Sequence, residues 1–161
     1  MSDFLRALLG LEPQGGPAPE AAEPRLVAAA ALMVEAARLD GQFIEEERQR
    51  ILRLLTERFG LGPFAAERLL AAGEDEAQAS VDLHGFTSAI KDGFDHAGRI
   101  GLVEMLWAVV YADGELHDYE ASLMRRVAGL LYVADGESAA ARERALARLR
   151  GKSSTPDALD P

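Results

Sequence analysis

"YADGELHDYE", Tyr111 to Glu120, interrupts what otherwise reads as helix, and a near copy, "RLDGQFIEEE", stands at Arg38 to Glu47. Both carry Asp-Gly, five residues and then Glu. One shift of 73 maps Asp40, Gly41 and Glu47 onto Asp113, Gly114 and Glu120. The flanks obey the same shift: Phe43 falls on Leu116, Ile51 on Met124, Leu54 on Val127 and Phe59 on Tyr132. Apolar positions stay apolar through a whole helix, the mark of a duplicated helix, Asp-Gly turn, helix unit. An offset this long is no solenoid period. The expected fold is all-α, a pseudo-symmetric helical bundle of the two units packed face to face, with extra short helices.

The rest of the chain carries the same 3.6-residue period. Arg25 to Leu39 is rich in Ala, Leu and Met, Ile51, Leu54, Leu55 and Phe59 form a stripe, and Val103, Leu106, Trp107 and Val110 form another. Met124, Val127, Ala128 and Leu131 repeat the pattern, and Leu83, Phe86, Ile90 and Phe94 make a further helix after an acidic break at "GEDE". Phe64 to Ala72 and Glu137 to Arg150 read as shorter, more charged helices, and no segment alternates as a strand does. Trp107, with apolar neighbours one turn away on each side, belongs in the core.

The proline and glycine of "GLEPQGGPAPEAAEP" mark residues 1–24 as a short helix, Phe4 to Leu9, followed by a linker. The helical domain is expected over 25–150, and the polar "GKSSTPDALDP" predicts a disordered tail over 151–161. The spacing of Phe4, Leu5, Leu8 and Leu9 suits docking on its own domain, on a partner helix or on a membrane surface.

With 17 basic against 27 acidic residues the formal charge is −10, a field that repels phosphate backbones and argues against nucleic acid. The absence of cysteine excludes disulfides, thiolate zinc sites and a cysteine nucleophile. No apolar run reaches the roughly 20 residues of a membrane span, and "MSDFLRALLG" lacks a signal-peptide pattern, so a cytoplasmic protein is expected. No Ser/His/Asp set, HExxH motif or phosphate-binding glycine loop is present, which leaves no catalytic residue to name.

Gly41 and Gly114 sit where a helix stops in the left-handed conformation, and Phe43 or Leu116 can then tuck into the core. The next helices should begin near Ile44 and His117. Glu47 and Glu120 fall three residues in, where a carboxylate reaches back to the free N–H groups of the first turn. Neither Ile44 nor His117 supplies the reciprocal half of a capping box. Capping alone, at about 1 kcal/mol, accounts for a Glu at this position.

The other role open to these acids is cation binding. Asp-Gly-x5-Glu matches the second half of an EF-hand loop, but Ala36 and Arg38, and Val109 and Tyr111, stand where the first ligands should be, so an EF-hand is rejected. A looser oxygen site remains at Asp40, Glu47, Asp113 and Glu120, with His117 as a weaker candidate, for Ca2+, Mg2+, Mn2+ or Zn2+. If the turns approach each other their carboxylates repel, and a divalent cation relieves the repulsion.

"FTSAI" and "LVEMLWAVVYADGELHDYEASLMRRVAGLLYV", Leu102 to Val133, resemble the TerB-like tellurite-resistance family, and "DGQFIEEERQRI" is similar to that family's first motif copy. The resemblance implies an all-helical fold and a bacterial stress-response association. It also implies protein partners that are membrane-linked or nucleotide-processing, and metal held through acids at Asp40, Glu47, Asp113 and Glu120. The alanine usual before Asp-Gly is kept as Ala112 but replaced by Leu39 in the first copy. The expected function is a non-enzymatic binding or scaffold module. The alternatives are a metal-dependent hydrolase and a purely structural helical interaction protein without metal. Duplication also allows a homodimer through a self-complementary face.

Overall fold

The computed structural model describes residues 23–39, 41, 43–79, 82–112 and 114–158, with side chains as far as Gly151. Among the described residues all regular structure is helical. The helices are α1 (Pro24–Ala37), α2 (Glu45–Phe59), α3 (Pro63–Ala79), α4 (Leu83–Gly93), α5 (His96–Val110), α6 (Asp118–Leu130) and α7 (Asp135–Ala158). The expected Phe4 to Leu9 helix lies outside the described residues.

α1 and α5, the helices that precede the two Asp-Gly turns, form the centre. α1 packs against α2, α3, α4 and α5, while α5 also meets α2, α6 and α7. Their sequences explain the placement. α1 is buried on nearly every face, from Leu26 through Ala28–Ala31 to Ala37, and its small alanines let neighbours close in. α5 is buried continuously from Gly101 to Val110. A helix that is apolar all round belongs inside a bundle, whereas a striped one belongs on its surface. α2 buries only Ile51, Leu55 and Phe59. Trp107 is in the core as expected, and its indole N–H donates to Ser138 Oγ at 3.2 Å.

The acidic stretch Gly73 to Glu76 does not break the chain, because α3 runs straight through it. Gly73 is instead the point where α3 crosses α1. A Cβ there would lie 2.7 Å from Ala30 Cβ and 2.9 Å from backbone atoms of Ala30 and Ala31. The adjoining charge is also structural. Glu74 takes a bidentate pair from Arg48 of α2, Nε to Oε2 at 2.9 Å and Nη2 to Oε1 at 3.0 Å, and Glu67 lies 2.6 Å from Arg48 Nη1. The bonds to Glu74, ahead of those to Glu67, hold Arg48 charged by raising its pKa.

The helix bounds on either side of the two turns correspond. α1 ends at Ala37 and α5 at Val110, and α2 starts at Glu45 and α6 at Asp118, each pair related by the shift of 73. Beyond that the match fails. α2 ends on buried Phe59 with Gly60 left-handed at φ 69°, whereas in the second unit Tyr132 takes φ 60° and is 69% exposed. Leu131 turns inward there instead of the residue aligned with Phe59.

Candidate functional site

Each Asp-Gly turn is built on a glycine with positive φ, 91° at Gly41 and 87° at Gly114. These are left-handed values that only glycine adopts without strain. The glycine N–H donates back to the preceding helix end, Gly41 to the Arg38 carbonyl and Gly114 to the Tyr111 carbonyl, both at 2.9 Å. Phe43 and Leu116 then pack, partly buried, against the core.

The following helix starts are equally alike. Ile44 N–H donates to Glu47 Oε1 and His117 N–H to Glu120 Oε1, both at 3.0 Å. Ile44 and His117 give no side-chain cap in return, so only the Glu half of the box exists. The same bond recurs at a third helix start, where Ala134 N–H donates to Glu137 Oε1 at 2.9 Å. A Glu three residues into a helix thus caps three of the described helices, while Asp82 and Asp95 cap α4 and α5. Each capping carboxylate gives Oε1 to the backbone, and Glu137 Oε2 also lies 2.8 Å from His96 Nε2.

The surroundings of the two acids differ. Glu120 is buried while Glu47 is half-buried. His117 stacks on Tyr119 with ring centroids 5.3 Å apart. Asp40 and Asp113 lie outside the described residues. Among the described residues no three His, Asp or Glu converge to hold a metal. The acids expected at the turns, Asp40, Glu47, Asp113 and Glu120, carry oxygen donors only, a chemistry that suits hard cations such as Ca2+, Mg2+ or Mn2+ better than Zn2+.

A cleft of about 350 Å3 opens between α1, α4 and α6. Glu35 and Leu39 from the end of α1, Asp82 and Phe86 from the start of α4, and Tyr119, Ser122 and Arg126 from α6 line it. The exit of α1 therefore shares a wall with the helix that follows the second turn. Asp82 caps α4 by accepting the His84 N–H at 3.0 Å, and Glu35 lies 3.9 Å from Arg38. Ile44 and Tyr119 are exposed apolar side chains at the two helix starts.

A second polar centre forms inside the bundle around α5. Glu104, in the middle of apolar α5, has a side chain only 5% exposed and meets three arginines. Its Oε1 accepts from Arg144 Nε at 2.8 Å, and its Oε2 accepts from Arg148 Nε at 3.2 Å and Arg58 Nη1 at 3.3 Å. Burial pushes the Arg58 guanidinium below its ordinary pKa. Glu104 opposes that shift, and Arg148 and Arg144 reinforce it. The signal available was one carboxylate in an otherwise apolar helix, which must be paired if the helix is central. Its partners, 40 to 46 residues away, cannot be read from spacing.

Comparison with known proteins adds one finding. No curated protein and no solved structure matches the chain. The family model described as Tellurite resistance protein TerB matches residues 26–143, most of the chain, and the match takes in both Asp-Gly turns, the cleft between α1, α4 and α6, and Glu104. The all-helical bundle and the family match agree, and the chain belongs to the TerB family.

Proposed function

We propose that this tellurite-resistance-related helical domain is a non-catalytic binding module that holds a hard divalent cation at its Asp-Gly turns and presents that end of the bundle to protein partners. The observation that carries the reading is the likeness of the two turns. Within the family match, two glycines at φ 91° and 87° and two Glu back-bonds of 3.0 Å support the reading that Glu47 and Glu120 play matching parts. Glu47 and Glu120, with Asp40 and Asp113 from the sequence, are the four carboxylates that would hold the cation. A cation there would neutralise acids of a chain whose formal charge is −10. The exposed Ile44 and Tyr119 beside the turns add the apolar contact that a protein partner uses. Partners associated with the membrane are part of the proposal; no described helix is itself long and apolar enough to cross one.

Calorimetric titration of metal-stripped protein with Ca2+, Mg2+ and Mn2+ tests the cation. Saturable heat that disappears in the Asp40→Asn, Asp113→Asn double variant is the expected result. Equal heat in wild type and double variant would remove the turns from the account.

A further inference from the structure

We propose that a cavity beside Glu104 binds a small carboxylic acid with a short apolar body, its head group on Arg58 and Arg148 and its chain against Leu54, Ala108, Ala145 and Leu149. The cavity measures about 260 Å3 and lies between the end of α2, the middle of α5 and the later turns of α7. That is just under the ~300 Å3 at the lower end of ordinary ligand pockets, which suits a small molecule and excludes a nucleotide.

The charge at this place runs against the rest of the chain. One guanidinium neutralises one carboxylate, yet Arg58, Arg144 and Arg148 all converge on Glu104. Glu57 lines the same cavity and has a partner of its own. Among the described residues, even with Glu57 counted in full, one positive charge is left over. Arg58 is only 12% exposed at its side chain, so water screens its repulsion from the other two poorly. An arriving anion relieves that repulsion.

The arginines also have donors to spare. Arg144 and Arg148 each use Nε on Glu104. Their terminal Nη groups form the planar fork that pairs with carboxylates. Arg148 reaches solvent, with 61% of its side chain exposed, and so can receive a ligand from outside. Leucine and alanine side chains supply the remaining wall, which selects an acid with a hydrocarbon body over a bare inorganic anion. Arg144 and Arg148 stand just past residue 143, where the family match ends. The site is separate in its residues from the Asp-Gly turns, and either reading can fail without the other.

Octanoate, inorganic phosphate and 1-octanol are the probes, each titrated into the full chain and followed through the amide shifts of Ala108 and Ala145 and through the melting temperature. Octanoate should give a saturable change in both. Arg148→Gln should weaken it at least about tenfold, equivalent to ~1.4 kcal/mol. Arg148→Lys keeps the charge but loses the fork and should also weaken binding, and it serves if the glutamine variant fails to fold. Phosphate bound as tightly as octanoate would reduce the site to a charge effect, and octanol bound as tightly would reduce it to an apolar hole. Either result overturns the proposal, as would the lack of a saturable octanoate response or full binding by both Arg148 variants.

Discussion

Replacing Gly73 by alanine separates two opposite roles for that residue. If Gly73 merely weakened α3, alanine would stabilise the helix by about 1 kcal/mol. The structure predicts the reverse. The new Cβ would stand 2.7 Å from Ala30 Cβ and 2.9 Å from Ala30 C and Ala31 N, and two of those three contacts are backbone. No rotamer can move them, so α1 and α3 must separate along their crossing. Overpacking of this kind costs about 1–3 kcal/mol. Set against the propensity gain, the net loss is about 0–2 kcal/mol. Gly129 in α6 serves as the control, since it is helical and has nothing within 4 Å of its added Cβ. Gly129→Ala should gain a few tenths to about 1 kcal/mol. Urea denaturation of both variants with an unchanged m-value gives the two numbers. A rise in midpoint for Gly73→Ala as large as that for Gly129→Ala would refute the crossing as the reason for the glycine.

Three further outcomes follow from the same coordinates. Glu104→Gln leaves three guanidiniums around a neutral amide and should cost about 3 kcal/mol or more, with part regained on adding Arg58→Met; urea midpoints of the single and double variants check both steps. Tyr132 holds φ 60° at a strain of roughly 1–2 kcal/mol, and Lys91 over its ring returns about 0.5–1 kcal/mol, so Tyr132→Gly should be neutral or slightly stabilising by thermal melting. The bond to His96, and after it the Ala134 N–H, lowers the Glu137 pKa. Its contribution is therefore present above the ordinary carboxylate range and is lost as pH falls through the lower folded value. In that acid window Glu137→Gln should show a shallower decline of stability with pH than wild type.

The helices and turns were legible because each depends on near neighbours in sequence. Gly41 and Gly114 declared helix ends, and Glu47 and Glu120 declared helix starts, through contacts within a few residues. Gly73 misled because an isolated glycine beside acids looks like a stop, whereas its real partner, Ala30, is remote in sequence. The divergence after α6 was hidden for a similar reason. Phe59 and Tyr132 are interchangeable in an apolar pattern, yet one is buried and the other takes a left-handed turn. Of the candidate site, the capping bonds could be foreseen, while the Glu104 cluster depends on how α2, α5 and α7 come together and leaves only its carboxylate as a clue.

The most direct measurement of the central claim is the melting temperature of metal-stripped protein across a titration of Ca2+, Mg2+ and Mn2+, run beside the Asp40→Asn, Asp113→Asn double variant. A cation at 100 times its dissociation constant adds ~2.7 kcal/mol to the folded state. In a domain of this size that raises the midpoint by about 5–10 °C. A saturable rise of that order in wild type, absent from the double variant, is the predicted result. A midpoint that ignores every cation would contradict the account and leave Glu47 and Glu120 as helix caps alone.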